Sequence, residues 1–420
     1  MSGAPLSHIV QQHVEETVML RGTRAYMVHA PNVGLRQLAR MDERLAAHLD
    51  GIAVAGEYGA RLAGAVLENP GRGECFTVAV RSLEDGDSDA LARVFTLARQ
   101  SPEGQSGLIS AFGWVSPAAL RGVAQKLLGS TDPFSRQVGL ATFGMHRVDP
   151  PGALAKAVDD EHPAVRCQAL RALASLGHVH LLPKCVEILK EGHDDQCAYE
   201  AAKTAVLLGE QRSAFEQLER VALRPGRLRS SALRMVLQAH APDRARGLLS
   251  ALSRMPGNTR LLLSGAGATG DPYYVPWLIE QMRKPKLARL AGESFCLITG
   301  LDLSFPIREL PQPDDVEAGP EDDPQDDDVA MDEDDGLPWP DAEKIAAWWQ
   351  DNAQRFAAGA RYFMGQPPTV PHCLNILKTG FQRQRESAAL HLCFLKPGTL
   401  LFNTAAPAWR QKRWLGATQG

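Results

Sequence analysis

What this chain of 420 residues lacks narrows its nature before any motif is considered. No stretch of about 18 apolar residues occurs, so no membrane-spanning helix is expected. The opening residues, MSGAPLSHIVQQHVEE, lack the basic-then-apolar order of a secretory leader, and a cytoplasmic protein is the expectation. The seven cysteines (Cys75, Cys167, Cys185, Cys197, Cys296, Cys373 and Cys393) are odd in number, scattered and without a C-x-x-C pair. That pattern speaks against a disulfide framework and a zinc ribbon, and buried small apolar side chains are the expected role. No G-x-S-x-G element is present, and the glycine-rich piece Gly265 to Gly270 follows a helical stretch and lacks the lysine of a phosphate-binding loop. Close helix packing accounts for it better, and no cofactor is expected.

Positive charge is missing from one place in particular. Between Pro311 and Asp335 there are thirteen carboxylates and no Lys or Arg, so a net charge of −4 leaves +9 on the rest of the chain. Such a segment has too few apolar side chains to repay the entropy of ordering, and a flexible acidic linker is expected over residues 304–340. The basic remainder does not predict nucleic-acid binding, because its arginines are spread at regular spacing with no aromatic-interleaved patch.

What is present, at 44% hydrophobic residues, is ample material for a core, and it is periodic. Val165 to Gly177, VRCQALRALASLG, reads as an amphipathic helix ending on glycine, with Val165, Ala169, Leu170, Leu173 and Leu176 at helical spacing. Its middle position recurs at Gly139, Ala169, Ala201, Ala232, Leu262 and Gly292, at intervals of 30, 32, 31, 30 and 30. Three residues before each stand Arg136, Arg166, Ala198, Arg229, Thr259 and Arg289. Eight after each stand Arg147, Gly177, Gly209, His240, Gly270 and Gly300, as helix ends require. Partner helices such as Pro183 to Leu189 and Val275 to Met282 fall between. Two helices every 30 or so residues define an all-α fold, an α-solenoid interrupted by an acidic insertion. The expected organisation is a helical cap over residues 1–87, a repeat array over 88–303, the acidic linker over 304–340 and a helical region over 341–420 that continues the solenoid. In the cap, helices are expected over Leu6 to Leu20, Leu35 to Leu49 (closed by Gly51) and Val54 to Glu68. In the last region, helices are expected from Asp341 to Phe356, Pro371 to Lys378 and Gln382 to Leu395, with Arg385 and Ala388 repeating the Arg166 and Ala169 spacing.

The stretch Asp160 to Gly177, DEHPAVRCQALRALASLG, resembles the short HEAT-like repeats of bacterial scaffold proteins and of bilin-lyase-type repeat proteins. ARLAGESFCLITGLDL (Ala288 to Leu303), the acidic run, LPWPD (Leu337 to Asp341), FQRQRESAAL (Phe381 to Leu390) and LFNTAAPAWRQ (Leu401 to Gln411) together resemble a bacterial family of uncharacterised HEAT-like proteins. The resemblance implies an α-solenoid and an association with type VI secretion components, alongside which such proteins are often encoded. It implies no reaction.

Candidates for chemistry are few. His193, Asp194, Asp195 and Cys197, with His178 and His180 before them, lack the second tight ligand pair of a zinc site. The acidic run lacks the spacing of an EF-hand loop, and no metal is expected. Repeat-position arginines commonly bond carbonyls or acids of the neighbouring turn, yet a guanidinium fork also suits a bound carboxylate or phosphate. Arg136, Arg166, Arg229, Arg289 and Arg385 are therefore candidates for protein interaction, as are the aromatic anchors Trp339, Trp348 and Trp349. The leading expectation is a non-catalytic scaffold or adaptor that holds a protein partner, a secretion-system component or effector, with neither nucleic acid nor membrane as partner. A bilin-lyase-type or other ligand-handling enzyme is the alternative, and self-association is a third reading.

Overall fold

The computed structural model describes residues 6–191, 195–303, 309–312 and 332–417. Among them the protein is built almost wholly of α-helices. Three open the chain: α1 (Ser7–Met27), α2 (Leu35–Val54) and α3 (Gly56–Ala65). Then follow α4 (Arg72–Asp85), α5 (Ser88–Ala98), α6 (Pro102–Trp114), α7 (Val123–Leu128), α8 (Pro133–His146), α9 (Ala153–Val158), α10 (Pro163–Leu176) and α11 (Leu182–Glu191). After these come α12 (Asp195–Leu207), α13 (Ser213–Leu223), α14 (Arg229–Ala239), α15 (Pro242–Ser253), α16 (Thr259–Thr269), α17 (Val275–Met282) and α18 (Pro285–Thr299). A two-residue ladder joins β1 (Glu309–Leu310) to β2 (Trp339–Pro340), and α19 (Ala342–Asn352), α20 (Val370–Thr379), α21 (Gln382–Leu395) and α22 (Ala408–Ala417) complete the chain.

The even-numbered helices from α4 to α18 form an inner row in which each packs on the next, and the odd-numbered helices from α5 to α17 flank it. The sequence period explains the row. Val165, Ala169, Leu170 and Leu173 of α10 have no exposed surface, and small residues at the matching positions (Ala201, Ala232) let neighbouring helices approach closely. Starts are set by proline in the first turn of α6, α8, α10 and α18, and by Asp132, whose carboxylate accepts from the Ser135 amide at 2.8 Å. Ends are set by Gly177, Gly209, Gly270 and Gly300, all left-handed with φ between 66° and 103°. Arg147 takes the same conformation at φ 55° without being glycine, whereas His240 does not, at φ −69°.

The N-terminal expectations need three corrections. α1 runs on to Met27 and α2 to Val54, so Gly51 lies inside a helix and is no cap. A side chain there would come within 2.5 Å of the His13 ring, which explains a glycine at a position where it costs helix stability. The boundary at 87/88 falls within a packed unit, because α4 already belongs to the inner row and packs on α6.

The C-terminal region does not simply continue the array. α19 packs on α17, but the chain then runs back along the ends of the inner helices, and α21 lies on α12 and α14. The cap glycines are its seats. A side chain on Gly177 would meet the Gly398 carbonyl at 2.1 Å, one on Gly270 the Tyr362 carbonyl at 2.1 Å, and one on Gly300 the Met364 carbonyl at 2.5 Å. Backbone bonds fix the path, from Tyr362 N to Gly270 O at 2.7 Å and from Met364 N to Leu297 O at 2.7 Å. The Arg361 guanidinium donates to the carbonyls of Leu237 and Thr269, both at 2.9 Å, and to those of Gln238 and His240. A cation thus sits where α14 and α16 present their unpaired carbonyls.

The same region closes onto the start of the chain. Gln382 N donates to Val33 O at 2.8 Å, and its side chain donates to Val28 O and Thr404 O, each at 3.1 Å. Arg24 pairs with Asp42 and donates to the carbonyls of Ala405 and Ala406, while Asp42 accepts from the Ala408 amide at 2.6 Å. FQRQRESAAL and LFNTAAPAWRQ, distinctive in sequence, are the residues of this closure.

Candidate functional site

Each arginine singled out from the sequence is bonded within the chain. Arg136 forms a two-pronged pair with Asp160 at 2.9 Å and donates to the carbonyls of Ser130 and Thr131. Arg166 donates to the carbonyls of Asp160 and Glu161, and Arg229 to Ala222 O and Asn258 Oδ1. These side chains tie the start of an inner helix to the turn before it. Arg385 is fully buried, donates to Leu377 O at 2.8 Å and meets the side-chain oxygens of Gln382 and Gln411, so it is no surface contact for a partner. Arg289 binds Asp332 and lies 4.5 Å from the centre of the Trp339 ring. Trp339 is buried, and Trp348 and Trp349 are half-buried against Phe295 and Phe356 respectively. The three tryptophans pack inside the chain.

Of the acidic segment, residues 304–308 and 313–331 lie outside the described residues. Its end is anchored, which corrects the expectation of a flexible linker for residues 332–340. Asp334 is 5% exposed and takes both prongs of Arg260, at 2.9 Å to Oδ2 and 2.6 Å to Oδ1. Tyr26 donates to Asp335 at 2.9 Å. Of the metal candidates, His193 and Asp194 lie outside the described residues, and Cys197 is buried and donates to Pro163 O.

Two adjoining cavities occupy the inner face. One, of about 840 Å³, is lined by Arg227, Arg229, Arg260, Glu293, Asp334 and Arg383 among others. The other, of about 410 Å³, lies under α21 and the loop before α22, and shares Ser231 and Arg234 with the first. Its wall carries Arg171 of α10, Lys203 of α12 and Arg234 of α14. These three stand two residues after Ala169, Ala201 and Ala232, so the repeat period stacks three cations on consecutive helices. The column was within reach of the sequence ruler. Neither the arginines three before the small position nor the glycines eight after it point to this column.

The charges of this wall are unevenly matched. Arg171 donates to Glu200 Oε1 at 2.8 Å, and Arg234 donates to Glu386 at 3.1 Å. Burial alone would raise the Glu386 carboxyl, but His29 and Arg234 overturn that and hold it below the usual range. Lys203 has no hydrogen bond or ion pair with any described residue. Burial lowers its ammonium below the usual lysine range, with Glu200 opposing and Arg171 and Arg234 adding to the effect. At the other end of the cavity Arg147 lies with its guanidinium carbon 3.7 Å from the Trp414 ring centre, and burial brings it down to about 10. It too has no carboxylate partner among the described residues.

Compared with family models, curated proteins and solved structures, the chain matches none of them. The resemblance to HEAT-like proteins therefore rests on the sequence motifs.

Proposed function

We propose that the chain is a non-catalytic scaffold, a solenoid of HEAT-like repeats curled until its last helices meet its first, that holds a protein partner through its inner face. The observation that carries this reading is that the inner face already seats two segments of its own chain. Helix α21 lies on α12 and α14, and the acidic residues Asp332 and Asp334 lie on Arg289 and Arg260. A surface that receives a helix and an acidic stretch in cis has the shape and charge to receive an acidic segment in trans, and the larger cavity beside Arg260 is the place for it. The sequence resemblance supports a secretion-system component or effector as the partner and an adaptor's role in assembly or cargo loading, and the cytoplasm is the compartment proposed.

A conjugating enzyme of the bilin-lyase type would need a conjugating Cys, His or acid in a pocket. Burial pushes Cys75 and Cys373 up to about 11 and Cys185 and Cys393 up to about 12, which disfavours these four thiols as nucleophiles at neutral pH. The test is affinity capture from native cells with the wild type and with a double variant, Arg227→Glu with Ser230→Glu, both exposed on the cavity rim. A protein recovered at stoichiometric level by the wild type and lost by the variant supports the scaffold. Recovery of no such protein, or its undiminished retention by the variant, overturns it.

A further inference from the structure

We propose that the smaller cavity is a binding site for a small oxyanion carried on an apolar body, such as an aliphatic carboxylate, with Lys203 as its principal charge contact. This site is independent of the protein-binding reading above, and three observations carry it. First, the chain's own C-terminal region forms one wall of this open-mouthed cavity, whose volume of about 410 Å³ is in the size range of small-molecule sites. Second, the groups around it carry a surplus of positive charge. Arg147, Arg171, Lys203 and Arg234 stand against Glu200 and Glu386, leaving a net charge of +2. The two cations with no direct carboxylate contact are Lys203, which feels Glu200 and Glu386 only at longer range, and Arg147, held by the rings of Trp414 and Phe402. An ammonium kept half-buried beside two guanidinium groups costs folding free energy unless something anionic joins it. Third, the cavity is two-ended. Lys203, Arg171 and Ser231 lie on the α10–α14 side, whereas Ile109 of α6 and Met145 of α8 supply apolar surface, with Arg147 stacked on Trp414 beside them. A carboxylate at the first end and a hydrocarbon at the second match both.

The chemistry is binding alone. Lys203 donates to one carboxylate oxygen, the free N–H groups of Arg171 and Arg234 reach the other, and no covalent step is involved. Octanoate, far below its micelle concentration, is the probe, titrated calorimetrically into the full chain beside 1-octanol and inorganic phosphate. The expected result is one octanoate per chain, with octanol and phosphate each at least tenfold weaker. Lys203→Met should weaken octanoate at least tenfold while leaving the unfolding midpoint at or above that of the wild type. Lys203→Arg, which keeps the charge, should retain most of the affinity, and it serves as the test if the Met variant does not fold. Wild-type affinity should also fall as salt is raised. Absence of octanoate binding, octanol or phosphate binding as tightly as octanoate, or undiminished binding by Lys203→Met would each overturn the proposal. If only Lys203→Arg can be measured, a tenfold loss in that variant overturns the charge assignment.

Discussion

Replacing Arg361 by methionine should be among the most damaging single changes in this protein. Its guanidinium donates to four main-chain carbonyls, at Leu237, Gln238, His240 and Thr269, which belong to the C-terminal ends of two successive inner helices. Methionine keeps most of the side-chain volume and removes every donor. Each hydrogen bond from a charged group contributes about 1.5–3 kcal/mol, and a buried acceptor left unpaired costs about 1–3 kcal/mol. The effects of one side chain do not add, and water reaching some of the carbonyls reduces the loss. A net destabilisation of about 3–5 kcal/mol follows, the range for removing one partner of a buried charged network. Offsetting this, burial already brings Arg361 down to about 10, so part of its interaction goes to covering its own desolvation. Lysine at this position should recover little, since a single ammonium cannot span carbonyls of two helices. The assay is urea unfolding followed by circular dichroism, with hydrogen exchange at residues 361–365 and at the ends of α14 and α16 as a local readout. Exchange at Tyr362 and Met364 should accelerate most, because their amides donate to Gly270 O and Leu297 O across the same junction. An unfolding free energy of Arg361→Met within about 0.5 kcal/mol of the wild type would refute the reasoning, because the junction would then be held by contacts that do not involve these carbonyls.

Other perturbations follow from the same geometry. Gly270→Ala should cost about 2 kcal/mol or more, from the left-handed backbone at φ 67° and the approach of the Tyr362 carbonyl to 2.1 Å. By contrast Gly247→Ala, within α15 and with open space around it, should stabilise by about 0.5–1 kcal/mol, and paired thermal melts compare the two. Acid should weaken the fold through His391, which burial pushes down to about 3. Above about pH 6.5 the ring is neutral whether folded or not; below it the unfolded chain binds a proton that the folded chain refuses, so stability falls by up to about 1.4 kcal/mol per pH unit until pH 3. His391→Leu should flatten that slope by about one proton, and unfolding midpoints measured between pH 7 and 4 read it directly. Asp334→Asn should remove the charge of the Arg260 pair while leaving its shape, and faster exchange at residues 333–337 without a change in global midpoint is the expected outcome.

The parts of the fold that were legible in the sequence are those written more than once. Helices α8, α10, α12, α14, α16 and α18 repeat a spacing of about 30 residues, with small residues where they touch and glycine where four of them end. Asp341 as the cap of α19 was equally readable, since a side-chain acceptor at a helix start is a local signal, and its carboxylate accepts from Lys344 N at 3.1 Å. α6 carries neither the arginine nor the glycine end of the period, and α4, which does end on left-handed Gly86, lacks the arginine. What occurs once was not readable. The glycines at 177, 270 and 300 satisfy a helix end, and nothing local says that each also receives a carbonyl from the returning chain. Gly51 resembled a cap for the same reason, as its actual requirement is the ring of His13 on another helix.

The candidate site shows how a one-time event changes the meaning of a periodic one. An arginine or lysine two residues after the small mid-helix position is, in an open array, a solvated side chain on a concave surface, where a charge costs little and selects little. Once α21 and the loop ahead of α22 fold against the inner row, the same three side chains line a cleft in which they are partly withdrawn from water and charge is better matched. The closure itself supplies one carboxylate, Glu386, and it goes to Arg234. Glu200, from within the array, goes to Arg171. Lys203 lies between these two pairs and contacts neither carboxylate directly, so the residue proposed to make the cavity selective for an anion is the one that the closure leaves without an ion pair.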